Sequence, residues 1–373
     1  MSMALPIIDL KGTPYEGGVQ HGSAAEGLIR RNLEIYYDRF QRETRLPPQE
    51  VRDRAMRYLT VIDAHDPEYG QAMRGVSEGA KISLADIAVL NARYEILYSQ
   101  YAAINQGEEA TLMVDGCTAF AVTPDASVDG HLYLGQNWDW FPQVEGVIVR
   151  TRRADGFALA AFTEAGIVGG KIGMNSHGVG LVINGLLSNK DDWRRLRRPF
   201  HVRTWQILQA QTLDDAATVI TRESRSCSAN FLLGQANGTA RVMNIEAAPD
   251  AVCTITPRGG TLAHANHFED PDALQVWQPL AEDRTTTYQR GARMHELLER
   301  GKAASNLGKA GLQEILRDHG GHPDSVCRHP NPRLPEEQRV ESVVSVLEDL
   351  TARRFYVAGG TPCVTPFQEI TLT

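Results

Sequence analysis

Cysteine is scarce in this chain. Five residues, Cys117, Cys227, Cys253, Cys327 and Cys363, are scattered over 373 positions. An odd count at irregular spacing does not make a disulfide framework, so reduced thiols in a cytosolic protein are expected. Long apolar runs are missing too. No stretch reaches the roughly 18 residues that a membrane helix needs. The opening MSMALPIIDL lacks a basic segment ahead of its short apolar run, so neither a signal peptide nor a membrane anchor is expected. Positive charge is not in excess. Lys and Arg total 38 against 46 Asp and Glu, a formal net charge of −8, which argues against the basic face of a general nucleic-acid binder. Internal repeats and low-complexity segments are absent.

What is present is globular in character. Hydrophobic residues make up 42% and charged residues 23%, which excludes a disordered or collagen-like chain. The length suggests two domains or one large core. Thirty-three glycines imply many tight turns or close backbone approaches.

The first ~105 residues have helical periodicity. A long helix is expected over 15–43, and a second begins after Ser83, whose S-L-A-D places an acid three residues beyond a capping hydroxyl. Ile87, Leu90, Tyr94, Leu97 and Tyr101 follow at helical steps and read as core. A polar break covers 103–110. From residue 113 the period becomes two, with strands expected at 117–123, 131–136, 146–152, 156–163, 167–174 and 179–184. Helices at 200–209 and 213–222, strands at 230–234, 239–246 and 251–256, helices at 284–299 and 311–319, and strands at 343–347, 354–357 and 368–372 complete the chain. Blocks of helices and blocks of strands, without strict alternation, point to an α+β fold with antiparallel sheets.

Several short motifs are discounted. Gly75-Val76-Ser77-Glu78-Gly79 matches the G-x-S-x-G nucleophile elbow, but that elbow needs a strand before its serine, and this copy sits in a helical stretch. His319, His322, Cys327 and His329 cluster, yet their spacing fits no standard zinc finger or ribbon, so no metal is expected. Arg194, Arg195, Arg197 and Arg198 beside Trp193 read as a solvated loop, with contact to an anionic substrate as the alternative.

Asp115-Gly116-Cys117-Thr118 is different. A cysteine that opens a strand directly after glycine is an unusual place for a structural thiol. Nineteen residues after Cys117 comes Gln136-Asn137-Trp138-Asp139-Trp140, at the end of an expected strand, and an antiparallel hairpin through the turn at 124–130 would return Asp139 towards Cys117. Glycine at 116 permits unusual dihedrals. A strained Gly–Cys bond beside a carboxylate could rearrange by attack of the thiol on the preceding carbonyl, and hydrolysis would then expose Cys117 as a new N-terminus. A buried structural cysteine is the competing reading.

At these residues the chain resembles the acyl-coenzyme A:6-aminopenicillanate acyltransferase family, self-processing N-terminal nucleophile hydrolases. The resemblance is carried by KGTPYE at 11–16, QHGSAA at 20–25, DGCT at 115–118, GQNWDW at 135–140, TEAGIVGGKIGMNSHGVG at 163–180, HANHF at 264–268 and SVCR at 325–328. It implies a four-layer αββα sandwich, with residues 1–116 as a helical pro-segment or α subunit and 117–373 as a β subunit, together one domain. It implies autocleavage between Gly116 and Cys117, with Cys117 as nucleophile and its freed α-amine as base. Asp139 corresponds to the acidic residue that orients that amine, and Asn266 to the oxyanion-stabilising asparagine. Ser228 falls at a supporting hydroxyl, Arg328 at a site arginine, and Arg339 at the arginine that meets a substrate carboxylate. Asn137 and Asn184 are supporting candidates with turn residues as the alternative. Gln136 stands where the related bile-salt and penicillin V amidases have arginine, which favours the acyltransferase branch. The function implied is an amidase or acyltransferase that acts on a small acylated amine or an acyl-CoA without a cofactor. Amide hydrolysis leads, acyl transfer is the alternative, and a non-catalytic binding protein of the same fold is the third reading.

Overall fold

The computed structural model describes residues 5–105, 116–278 and 286–372. The chain opens with β1 (Ile7–Leu10), then α1 (Pro14–Ala24), α2 (Glu26–Thr44), α3 (Pro48–His65), α4 (Pro67–Ala80) and α5 (Leu84–Asn105). Next come β2 (Gly116–Val122), β3 (Tyr133–Trp140), β4 (Gly146–Arg152), β5 (Ala158–Glu164), β6 (Ile172–Asn175) and β7 (Val179–Gly185). Two helices, α6 (Phe200–Ile207) and α7 (Leu213–Thr221), lead to β8 (Ala229–Gln235), β9 (Arg241–Ala247), β10 (Val252–Ile255) and β11 (Thr261–His264). Then α8 (Thr286–Ala303) and α9 (Lys309–Leu316) precede β12 (Glu341–Asp349), β13 (Arg354–Ala358) and β14 (Gln368–Thr371).

Two sheets face each other. One runs in the order β1-β4-β5-β6-β7-β8-β9-β10, the other β11-β2-β3-β12-β13-β14. Contacts of β2 and β3 with β7 join the sheets, α8 and α9 cover the second sheet, and α7 packs on β8 and β9 of the first. The expected four-layer α+β sandwich is therefore observed. The strands are antiparallel except at one edge, where β1 runs parallel to β4. Sequence reading missed β1 and β11. Four residues are too few for a periodic signal, and Ile7 finds its partner only at Ile148.

Two expected elements differ from the observed ones. The helix expected over 15–43 is two helices that meet at Ala25, whose φ of −114° leaves the helical region. The strand expected at 167–174 begins only at Ile172, because Gly166 and Gly169 take positive φ and turn the chain. The expected cap at Ser83 holds, and a second is observed at Thr13. Ser83 Oγ accepts from Asp86 N at 3.2 Å, and Thr13 and Glu16 form a reciprocal capping box ahead of Pro14. The stripe from Ile87 to Tyr101 is buried, as core should be. The polar break at 103–110 lies largely outside the described residues.

The G-x-S-x-G motif has a packing explanation. Gly75 and Gly79 on α4 face Gly18 and Gly22 on α1. A Cβ at Gly75 would lie 2.1 Å from Tyr15 O, and one at Gly18 would lie 2.2 Å from Ala72 O. These glycines let two helix backbones touch; no nucleophile elbow is formed.

Candidate active site

The β2–β3 hairpin fixes the centre of the site. Its register opposes Gly116 to Asp139, Cys117 to Trp138 and Thr118 to Asn137. Asp139 thus stands across the ladder from the residue before the cysteine, as the hairpin argument required. On the other side of β2, β11 pairs His264 with Ala119, which delivers Asn266 to the start of the strand.

Asn266 Oδ1 accepts a hydrogen bond from Cys117 N at 2.5 Å. Its Nδ2 donates to Gly185 O at 3.0 Å, and its backbone N donates to Thr287 Oγ1 at 2.8 Å. From α8, Arg290 Nη1 donates to Cys117 O at 2.6 Å and to Thr118 Oγ1 at 2.8 Å, while Nη2 reaches Asn266 Oδ1 at 3.1 Å. Burial pulls the Arg290 guanidinium down to about 10, with Asp139 acting in the opposite direction. Cys117, Asp139 and Asn266 are all buried.

Asp139 Oδ1 accepts from Ser342 Oγ on β12 at 2.7 Å. The same hydroxyl accepts from Arg328 N at 3.0 Å. The Arg328 side chain is forked onto Asp324 Oδ1, at 3.0 Å from Nε and 2.7 Å from Nη2. A Cβ on Gly116 would lie 2.5 Å from Arg328 Nη1 and 3.2 Å from both Cβ and Oδ2 of Asp139. Gly116 lies in strand pairing opposite Asp139. The space beside it leaves no room for a side chain.

The remaining candidates sit around this centre in different ways. Asn137 is a strand residue, not a turn residue. Its Nδ2 donates to Leu316 O and Val326 O, both at 2.8 Å, and so clamps the end of α9 and the approach to Arg328 onto β3. Asn184 is likewise in a strand, next to the Gly185 whose carbonyl holds Asn266. Its Oδ1 accepts from Asn230 Nδ2 at 3.0 Å and lies 3.1 Å from His264 Nδ1. Ser228 Oγ donates to Asp191 Oδ1 at 2.7 Å. Burial pushes the Asp191 carboxyl up to about 7 although Ser228 and Ser188 donate to it. Arg339 Nε donates to Leu334 O at 2.9 Å, and Nη2 reaches Pro332 O at 3.4 Å, so it staples its own loop.

The arginine run behaves mostly as the solvated-loop reading expects. Arg194 is forked onto Asp192, Arg195 meets Asp250, and Arg198 binds Asp66 and Glu223. Arg194 and Arg195 also rim a cleft of about 690 Å³, together with Arg54, Lys190 and Asp191; Cys117 is not among its lining residues.

Sequence reasoning missed Arg290, Thr287, Ser342 and Asp324. Asp324 lies four residues from Arg328, whereas the other three reach the site through strand pairing or helix docking that local patterns do not encode. A second buried charge group lies behind Trp138. Lys171 Nζ sits 3.5 Å from a Trp138 ring centroid and 3.0 Å from Glu164 Oε1. Glu164 also pairs with Arg93. Burial would raise the Glu164 carboxyl, but Arg93 and Lys171 outweigh it and hold it well below the usual range.

A buried cysteine heading a central strand of a four-layer sandwich, its nitrogen held by an asparagine and an aspartate set beside the preceding residue, defines a class of candidate thiol enzymes. The family model described as acyl-coenzyme A:6-aminopenicillanic acid acyl-transferase matches residues 126–362, and the chain belongs to that family. The acyl-coenzyme A:6-aminopenicillanic-acid-acyltransferase 40 kDa form of Emericella nidulans is 26% identical over 362 residues, 95% of this chain and 92% of that protein. An uncharacterized protein of Archaeoglobus fulgidus is 22% identical over 298 residues, 72% of this chain and 49% of its own length. Among solved structures, a mutant of the conjugated bile acid hydrolase from Clostridium perfringens superimposes with a TM-score of 0.48 at 11% identity, over 68% of this chain and 92% of that one. A Caenorhabditis elegans ortholog of N-acylethanolamine-hydrolyzing acid amidase gives 0.45 at 14% identity, over 63% and 93%. Among the described residues no helix is long and apolar enough to cross a membrane.

Proposed function

We propose that this chain is a self-processing cysteine amidohydrolase. It cuts itself between Gly116 and Cys117 and then cleaves the amide bond of a small N-acylated substrate. The observation that carries this reading is the hydrogen bond from Cys117 N to Asn266 Oδ1 at 2.5 Å, made where Asp139 stands opposite Gly116.

In processing, the Cys117 thiol attacks the Gly116 carbonyl. The Gly–Cys C–N bond breaks, the thiol proton passes to the departing nitrogen, and Gly116 becomes a thioester on Sγ. Water attacks that thioester, releases Gly116 as a carboxylate and regenerates the thiol beneath a new α-amine. Residues 1–116 and 117–373 remain together as α and β chains. In turnover, the α-amine takes the thiol proton, and its ordinary titration near ~7.7–8.0 suits that exchange. The thiolate attacks the substrate carbonyl, the proton moves to the leaving nitrogen, and water resolves the thioester acyl-enzyme. Asn266 Oδ1 orients the amine. Asn266 Nδ2, shared with Gly185 O, supplies a hydrogen bond to the oxyanion. Asp139, held by Ser342 Oγ, helps orient the amine and balances the charge of Arg290, while Arg290 and Arg328 fix the strand entrance. Every step uses the chain's own groups and water.

Acyl transfer is the second reading, favoured by the relationship to the Emericella nidulans acyltransferase. There an amine resolves the thioester, and an acyl-CoA donates the acyl group. Incubation with an N-acyl amine, and separately with acyl-CoA plus amine, separates the two. Thioester consumption only when amine is present would overturn the hydrolase reading. Processing tests both against a non-catalytic binding protein. Wild type should give fragments of about 13 and about 28 kDa from the 41.1 kDa chain, with Cys117 as the first residue of the larger one. Cys117→Ala should stay whole; cleavage in that variant would refute the autocatalytic mechanism.

A further inference from the structure

We propose that His319, Cys327, His329 and Cys363 form a tetrahedral site for a zinc-type divalent ion. The chain folds four donor atoms to within 4.8 Å of one another. His319 Nε2 lies 3.1 Å from His329 Nε2. Cys327 Sγ and Cys363 Sγ lie 3.7 and 3.5 Å from the same nitrogen. A tetrahedral ion with Zn–N bonds of about 2.0–2.1 Å and Zn–S bonds of about 2.3 Å sets its donors about 3.4–3.8 Å apart, so small adjustments would seat one. Two thiolates and two imidazoles with no carboxylate are a donor set for zinc rather than for calcium or magnesium, which prefer oxygen.

The site could not be found from spacing because its fourth ligand is remote. Three ligands follow α9 in close succession, whereas Cys363 comes from the loop between β13 and β14. Sheet pairing and a clamp bring the two segments together, Arg317 Nε donating to Pro362 O at 3.0 Å. The backbone that carries the donors is braced. Cys327 N donates to Asp318 O at 3.0 Å, and His329 N donates to Pro323 O at 2.9 Å. The Asp318 carboxylate is gripped by Arg293 of α8, at 3.0 and 2.6 Å. Bracing of this kind around the ligands is what a metal site needs to hold its geometry. His322 sits nearby, its ring centroid 5.2 Å from that of His329, but its nitrogens are outside the donor group.

The position gives the ion a consequence. Arg328 lies between the ligands Cys327 and His329, and its guanidinium reaches the space beside Gly116. An ion here would anchor the loop that presents Arg328 to the cleavage point, while taking no part in the reaction itself.

The test is metal content of the full chain, purified without chelator, incubated with excess zinc sulfate and desalted. Wild type and His322→Ala should each retain about one zinc per chain. Cys363→Ser and His319→Ala should retain at least tenfold less, with circular dichroism confirming that each is folded. His319 is exposed, so its replacement keeps the test decisive if Cys363→Ser does not fold. Cobalt loading should give the intense visible bands of a tetrahedral thiolate site in wild type and in neither ligand variant. Zinc below about a tenth of an equivalent in wild type, full retention by His319→Ala, or a Cys327–Cys363 disulfide in the purified protein would each overturn the proposal.

Discussion

Replacing Asn266 with alanine tests the proposed centre most directly, because three groups lose their partner at once. Cys117 N loses its acceptor at 2.5 Å, Gly185 O loses its donor at 3.0 Å, and Arg290 Nη2 loses its acceptor at 3.1 Å. A buried polar group left without a partner costs about 1–3 kcal/mol. Arg290 keeps its bonds to Cys117 O and Thr118 Oγ1, so its share is the smallest, and a total loss of about 3–5 kcal/mol in unfolding free energy follows. The chemical loss is separate. Removing one pre-oriented oxyanion donor lowers a rate by about 10²–10³, and misplacing the nucleophile's own nitrogen adds to it. The assay is urea denaturation alongside a time course of precursor cleavage on a denaturing gel, counted on folded protein. Asn266→Asp separates the two ends of the amide. It keeps an acceptor for Cys117 N and loses the donor to Gly185 O, so it should process faster than Asn266→Ala and slower than wild type. A folded Asn266→Ala precursor that cleaves at the wild-type rate would refute the role assigned to Asn266.

Three other outcomes are expected. Asp139→Asn can still accept from Ser342 but removes the charge that opposes Arg290 and Arg328, so cleavage should slow at least tenfold; an unchanged time course would remove Asp139 from the mechanism. Gly75→Ala should lower stability by about 1–3 kcal/mol through overpacking, because its Cβ would meet the α1 backbone at 2.1 Å, whereas Gly27→Ala, whose Cβ meets nothing within 4 Å, should be neutral or stabilising by urea midpoint. Asp191 has a folded value near 7 against its ordinary 3.8, so the native state binds the extra proton between those values, and its contribution to stability falls as pH rises from about 4 to about 7. Relative to Asp191→Asn, wild type should therefore lose stability across that window, and parallel stability–pH curves for the two proteins would contradict the shift.

Local chemistry made much of this molecule legible. The switch from helical to alternating periodicity near residue 113 marks where the sandwich begins, and the turn after Val122 was enough to place Asp139 beside Gly116. The cap at Ser83 could be read because its partner lies three residues away. The rest depends on long-range placement. Arg290 reaches Cys117 across 173 positions, and Ser342 reaches Asp139 across 203; no window of sequence contains either pair. Arg339, which the resemblance marks for substrate contact, holds Leu334 O and Pro332 O of its own loop. Cys363 is a third case, invisible next to the histidine cluster until β13 and β14 bring its loop across.

If the chain cuts itself as proposed, the volume constraint at Gly116 bears on where the driving force would come from. Were Gly116 held in a left-handed conformation, backbone strain stored at the scissile bond could be released by the acyl shift. Instead it lies in ordinary antiparallel register with Asp139, and what excludes a side chain is the approach of Arg328 Nη1 and the Asp139 carboxylate. Those two opposite charges sit within a side chain's breadth of the carbonyl that the thiol would attack, and both are buried. Electrostatic contacts strengthen where water is excluded, and fixed groups of this kind need no reorganisation as charge develops. In the proposed cleavage, placed charge is then what poises the bond. On this account a Gly116→Ala precursor fails to cleave because its methyl displaces Arg328. Shortening the arginine in the double variant Gly116→Ala/Arg328→Ala relieves the clash but removes the charge, and so should not restore cleavage. Recovery of wild-type processing in that double variant would show that space alone was limiting.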